Sequence, residues 1–263
     1  MAVYTTDHSA AVVQTHGWRT ATNSCSYLLP HIKPDMKILD IGCGPGSISV
    51  DFARRVPQGH VTGIEYVSDP LDQARALAAR EGVTNIDFRV GDIHALNFPD
   101  NSFDIVHVHQ VLQHVADPVQ ALREMRRVTK SIVAARESAD LIWYPENEGV
   151  AKWYKLAVDI ASAKGGNPHP GRAIHAWAAQ AGFDRARIQK STGTWCFSTP
   201  EERRYWGGTH GSRVTSSGSA TIAVEGGYAT KEELEEAAKG WKDWVDNEDG
   251  WFGILHGEIV CWK

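Results

Sequence analysis

The sequence predicts an α/β fold built on a mostly parallel sheet, and three observations point there. In the first half, short apolar runs alternate with amphipathic stretches, the mark of consecutive βαβ units. The first run, Ile38-Leu39-Asp40-Ile41, enters a glycine-rich turn, Gly42-Cys43-Gly44-Pro45-Gly46, and then a helical stretch from Ser47. The next two runs also end on acids, Glu65 and Asp92, at the strand ends where open α/β sheets bind ligands.

In chain order, a helical region over about 9–29 precedes the first strand, expected at 37–41. Strands follow at 60–65, 86–90, 103–109 and 132–136. Asp69-Pro70 supplies an N-cap and first-turn proline for an Ala-rich helix ending near Arg80, with Gly82 as the stop. Asp117-Pro118 repeats the device for a helix over 119–127. Residues 143–180 read as two helices broken at 165–171, where three glycines and two prolines cluster. A strand is expected at 186–197. Capping boxes at Thr199-Pro200-Glu201-Glu202 and Thr230-Lys231-Glu232-Glu233 start two more helices. The Gly/Ser-rich piece 207–219 reads as a flexible connection, and 253–262 as a closing strand. The whole, 1–263, reads as one domain. Its core covers about 30–140, 183–198 and 253–263, and lid insertions cover about 141–181 and 199–250.

Composition narrows the function. A formal net charge of -5 offers phosphate backbones no general attraction, which argues against nucleic acid. Cys25, Cys43, Cys196 and Cys261 form no CxxC pair and read as reduced thiols, so neither disulfides nor a metal is expected. No apolar run reaches membrane-span length, and the N-terminus lacks a signal pattern, so a cytoplasmic protein without membrane contact is expected. Nothing in the sequence chooses between a monomer and a homodimer.

The glycine-rich turn carries the chemistry. Glycines allow a tight turn and close approach of a ligand to the backbone. A dinucleotide fingerprint would place its third glycine at 47, which is Ser47; the spacing here is GxGxG, with Asp40 two residues ahead. That acid suits a ligand bearing positive charge rather than a pyrophosphate. Glu65 stands 23 residues after Gly42, near the offset of a ribose-binding carboxylate, and Asp92 is placed for an adenine amino group with Ile93 against the ring.

The segments ILDIGCGPGSIS, GIEYV, GDIHALNFPDNSFDIVHVHQVLQHV and LREMRRV resemble class I S-adenosylmethionine (SAM)-dependent methyltransferases of the ubiquinone/menaquinone-biosynthesis (UbiE-like) group, over roughly 14–137. The resemblance implies a Rossmann-like seven-stranded sheet in the order 3-2-1-4-5-7-6, its last strand antiparallel, with N-terminal helices and a helical lid. It implies that Asp40, Gly42, Gly44, Glu65, Asp92, Ile93, His109 and Gln110 hold SAM, or its product S-adenosylhomocysteine. Arg19, Cys43, Gly46, Tyr66, Gly91 and His114 complete the expected cofactor set, and an N-terminal helix would bring His16, Trp18 and Asn23 nearby. Two departures stand out. Thr129-Lys130-Ser131 replaces the usual Lys-Pro-Gly-Gly turn, and residues 139–250 match no quinone-ring enzyme.

Methyl transfer is an in-line displacement at a sulfonium, so alignment and exclusion of water carry much of it, with a general base needed only for a protonated acceptor. His109, His114 and Tyr144 are the catalytic candidates; His107, mid-strand, reads as core. Substrate candidates are His16, Trp18, Glu137, Trp143, Tyr144, Tyr205, Trp206 and His210, the last three beside glycines that suit a mobile lid edge. The expected function is methyl transfer from SAM to a small molecule, at an O, N or C atom. The competing readings are an RNA or protein methyltransferase, a SAM-fold protein that does not methylate, and an NAD-dependent oxidoreductase. Asp40 and Ser47 speak against the last.

Overall fold

The computed structural model describes residues 18–263, so His16 and the first part of the expected N-terminal helix lie outside the described residues. Seven strands form one sheet in the order β3-β2-β1-β4-β5-β7-β6. They are β1 Lys37–Ile41, β2 His60–Glu65, β3 Ile86–Val90, β4 Phe103–His109, β5 Thr129–Tyr144, β6 Ile188–Phe197 and β7 Trp251–Trp262. β1 to β5 pair in parallel, and β7 runs antiparallel between β5 and β6. The described helices are α1 Ala21–Ser24, α2 Ser47–Arg55, α3 Asp69–Arg80, α4 Pro118–Val128, α5 Glu148–Ala163, α6 Ile174–Gln180, α7 Pro200–Ser216, α8 Gly218–Glu225 and α9 Lys231–Asp246. None is long and apolar enough to cross a membrane.

β1 to β4 stand at the expected residues; β1, β2 and β4 are short apolar runs buried on both faces, between helices, while β3 is the half-exposed edge strand. Asp117 caps α4 by accepting from the Gln120 backbone N–H, and Thr199 and Thr230 form the expected capping boxes. At α3 the cap moves by one residue. Ser68 is the N-cap without a side-chain bond, and Asp69 is already in the first turn.

Three expectations fail for one reason, long-range packing. β5 continues to Tyr144, because β7 pairs with it from Ile132↔Trp262 to Tyr144↔Trp251 and satisfies its backbone throughout. Trp143 and Tyr144 are therefore strand residues, not the start of a helix. The 207–219 piece is not a flexible connection but α7, a break at Ser217, and α8. Its glycines serve contact. A Cβ on Gly207 would lie 2.5 Å from Val245 Cγ2 and 2.8 Å from Trp244 Cε3, so this glycine lets α7 and α9 approach.

Core side chains on one sheet face, among them Leu39, Val106, Val108 and Val133, pack under α4 and α6. The opposite face packs against α2 and the segment around Cys25 and Leu28. A separate aromatic core, with Trp195, Phe197, Trp206, Trp241, Trp244 and Phe252, lies between the far ends of β5, β6 and β7 and helices α5, α7, α8 and α9. Gly207→Val is expected to destabilise the protein by about 1–3 kcal/mol through overpacking of α7 on α9. Urea denaturation checks it; an unchanged midpoint would mean that the two helices do not need the close approach.

Candidate active site

β1 delivers the chain into a turn whose three glycines all have positive φ: +67° at Gly42, +53° at Gly44 and +82° at Gly46. At Gly42 there is a second constraint. A Cβ there would stand 2.3 Å from Val111 Cγ2, on the turn that follows β4. Beneath the turn, Asp40 is buried and both its oxygens are engaged. Oδ2 accepts from the Ser49 hydroxyl at 2.5 Å, and Oδ1 lies 2.8 Å from His107 Nδ1. His107 Nε2 stands 3.3 Å from Cys25 Sγ, so this histidine is a core residue, as expected. Asp40 thus puts negative charge at the floor of the turn while its carboxylate is held by protein. The Cys43 thiol, pushed up by burial and then by Asp40 and Glu65, is inert.

Glu65 ties the ends of two strands together. Its Oε1 accepts from the Gly44 N–H at 3.1 Å and its Oε2 from the Tyr66 N–H at 2.9 Å. After β3, Gly91, Asp92 and Ile93 edge the same pocket. Burial opposes ionisation of Asp92, but hydrogen bonds from the His94 backbone and ring outweigh it and hold the carboxyl below its usual range.

The fourth wall comes from the end of β4. Gln110 takes φ +54°, a conformation uncommon for a residue with a side chain and a mark of local strain. Its backbone N–H donates to Arg136 O, its Oε1 accepts from Arg19 Nη2 at 2.7 Å, and its Nε2 lies 3.0 Å from His256 Nε2. Arg19 and Arg136 both lie over the Trp195 ring, 5.5 and 5.1 Å from its centroid. His109 is buried on this wall, its ring 5.5 Å from that of Trp195, and neither ring nitrogen has a partner among the described residues. Burial, then Arg19, Arg136 and His256, hold it well below the usual histidine range. His114 is lowered to about 4 by burial and Arg19. Both imidazoles are neutral at pH 7.

Glu137 is completely buried behind this wall. Its Oε1 accepts from the Val111 and Leu112 N–H groups at 2.8 and 2.7 Å and so holds the turn after β4, while its Oε2 has no hydrogen-bond partner among the described residues. Burial pushes its carboxyl up to about 7, against backbone N–H bonds that favour the anion.

The structure thus brings Arg19, Asp40, Gly42, Cys43, Gly44, Glu65, Tyr66, Gly91, Asp92, Ile93, His109, Gln110 and His114 to one pocket. Gly46 sits one step behind, where a Cβ would meet Ala74 Cβ at 2.8 Å. Trp18 packs on Trp195 and Phe197, each 5.2 Å away between centroids, beside Arg19. Other substrate candidates are not brought there. Tyr144 is eight residues past Arg136, the partner of His109, or about 26 Å further along β5. Trp143 stacks on Phe252, and Tyr205, Trp206 and His210 lie on α7. Trp206 and His210 are buried in the aromatic core rather than at a mobile edge. His256 and Trp195 were missed, since they come from β7 and β6 and carry no local motif. Val111 and Gln113 also line the pocket, and only their place just after β4 could have signalled them. No group of three metal-ligating side chains occurs among the described residues.

A family model described as a methyltransferase domain matches residues 32–162. An uncharacterized methyltransferase of Schizosaccharomyces pombe is 36% identical over 264 residues, covering 96% of this chain and 93% of the relative. The chain belongs to the SAM-dependent methyltransferase family. The fold agrees: a putative methyltransferase of Bacillus halodurans superposes with a TM-score of 0.56 at 18% identity, covering 90% of this chain and 97% of that one. The ubiquinone/menaquinone biosynthesis C-methyltransferase UbiE of Bdellovibrio bacteriovorus is 36% identical over only 94 residues, 36% of this chain and 40% of the relative. The methyltransferase therefore shares its full length with the fungal relative and a limited stretch with the quinone enzyme.

Glu137 gives the methyltransferase a specific pH dependence. The unfolded carboxyl titrates near 4.5 and the folded one near 7. Below pH 4.5 both states are protonated and nothing is lost; as pH rises through 7, the buried anion costs stability, about 3 kcal/mol when complete. Glu137→Gln keeps a carbonyl for Val111 and Leu112 but cannot ionise. The stability of the wild type relative to Glu137→Gln is expected to fall by about that amount between pH 4 and pH 8.5, read by urea denaturation. A difference flat across the range would remove the assignment.

Proposed function

We propose that this enzyme transfers a methyl group from SAM to a small-molecule acceptor. The observation that carries the reading is the convergence, at one pocket, of the GxGxG turn, two strand-end acids and a buried, unpartnered His109. Glu65 would take the ribose hydroxyls and Asp92 the adenine amino group, with Ile93 against the ring. The Asp40 charge under the turn favours the cationic end, and Arg19 suits the carboxylate. When bound, SAM supplies an electrophilic methyl group on a positively charged sulfur.

The chain's own residues supply position. His109, neutral and far below its usual range, is a weak base. Its use is to hydrogen-bond and orient the acceptor; a buried ring nitrogen without a protein partner favours a ligand group that satisfies it. The reading therefore favours an acceptor already nucleophilic at neutral pH, and an in-line geometry set by alignment in a dry pocket. The acidic net charge supports a small molecule over RNA. The chain is treated as one domain, with 141–181 and 199–250 as the lid.

Calorimetric titration with S-adenosylhomocysteine, with NAD in parallel, tests the cofactor assignment. Micromolar binding of the first and none of the second is expected, and a folded protein that binds neither would end the reading. Glu65→Ala is expected to weaken that binding by about 1–3 kcal/mol; unchanged affinity would remove the ribose assignment. With an acceptor found from a panel of phenols, amines and activated carbons, His109→Leu should lower kcat/KM roughly tenfold or more while leaving S-adenosylhomocysteine affinity within about twofold. No product with any acceptor, despite cofactor binding, would favour a SAM-fold protein that does not methylate.

A further inference from the structure

A second cavity lies inside the lid, sharing no lining residue with the cofactor pocket. It has about 180 Å³, comparable to apolar cavities that take a single aromatic ring. Its two sides differ in chemistry. α5 and α9 supply Trp153, Leu156, Ile160 and Leu234, an apolar wall on which Leu156 is only partly covered by protein. The end of α7 and the α7–α8 junction supply His210, Arg213, Ser217 and Ser219, a polar edge.

His210 is the group that needs a partner. Three indoles fix its ring: Trp241 stacked at 5.2 Å, Trp206 at 4.5 Å and Trp153 at 4.9 Å between centroids. It is 9% exposed, and its Nε2 has no hydrogen-bond partner among the described residues. A buried polar nitrogen is rarely left so, and the ring that carries this one lines a cavity. Burial, then Arg213, hold the imidazole well below its usual range, so at neutral pH it is uncharged and, as the Nε2–H tautomer, donates one hydrogen bond. Arg213 adds positive charge to the same edge, and no acidic side chain lines the cavity among the described residues.

We propose that the lid carries a second ligand site, separate from the cofactor pocket, for a medium-sized apolar molecule bearing one carboxylate. The apolar body lies along Trp153, Leu156, Ile160 and Leu234. The carboxylate accepts from His210 Nε2 and is held by the Arg213 charge. Because the two pockets share no residue, this assignment stands or falls independently of the methyl-transfer reading.

The test uses the full chain and three probes of one shape: 4-phenylbutyrate, 4-phenylbutanol and 4-phenylbutylamine. Binding is followed by calorimetry and by tryptophan fluorescence, which Trp153 reports directly. Saturable binding of the acid, tighter than the alcohol and much tighter than the amine, is expected. His210→Phe keeps the ring stack and removes the donor, so it should weaken the acid roughly tenfold or more while S-adenosylhomocysteine binding stays unchanged. Ala157→Trp, at an exposed position on the cavity rim, should abolish acid binding in a protein that is folded by circular dichroism, and serves if His210→Phe does not fold. The proposal is overturned if the wild type shows no saturable binding of the acid at millimolar concentration. It is equally overturned if the amine binds as tightly as the acid, or if both variants bind the acid like the wild type.

Discussion

The contact on which the site depends is the one between Gly42 and Val111. The sheet reverses its strand order at β1, which has β2 on one side and β4 on the other. A crevice opens there, between the turns that follow β1 and β4. In this protein the two turns approach until no side chain fits between them: a Cβ on Gly42 would sit 2.3 Å from Val111. Closeness on one side requires a left-handed glycine. On the other it requires a turn held from behind, by the Glu137 carboxylate on the Val111 and Leu112 N–H groups, and a strained Gln110 at the strand end. Below the crevice, the buried Asp40–His107 pair fixes the register of β1 against β4 with side chains as well as backbone.

Electrostatics sharpen this arrangement. Two guanidiniums, Arg19 and Arg136, lie over one indole and, after burial, help to lower His109 and His256. His256, between Arg136 and Gln110, is lowered to about 2, by burial first and the two arginines next. The charge of Arg136 is answered by Glu258 on β7, 3.4 Å away, where both side chains are buried. Positive charge on this wall is therefore carried by arginines, and His109, His114 and His256 remain as neutral hydrogen-bonding groups. A wall of this kind orients a ligand better than it moves protons.

The lid rests on different physics. Its core is a continuous set of aromatic rings, in which Phe197 stacks on Trp206 at 4.3 Å and Trp206 meets His210. Large rings bury much area with few degrees of freedom, which lets four helices and three strand ends share one rigid centre. The likeness to the quinone enzyme covers 94 residues, whereas the fungal relative matches over nearly the whole chain, the lid included.

Much of the fold and half of the site could be read directly from the amino-acid order. β1 to β4, the caps at Asp117, Thr199 and Thr230, and the acids at strand ends are local signals: a short apolar run, a side-chain oxygen three residues before an N–H, a glycine turn. Such features are settled within a few residues of chain, and Asp40, Glu65, Asp92, His109 and Gln110 accordingly meet at one pocket. The rest was decided between distant segments. β5 reaches Tyr144 because β7 satisfies its backbone from more than a hundred residues away. Gly207 and Gly208 read as a loose connection, yet α7 runs through them because α9 presses on Gly207. Trp206 and His210 turn into the aromatic core for the same reason, and His256 reaches the pocket wall beside Gln110 only through strand pairing. Local sequence carries propensity and capping; burial and pairing energies belong to neighbours that the chain brings together only on folding.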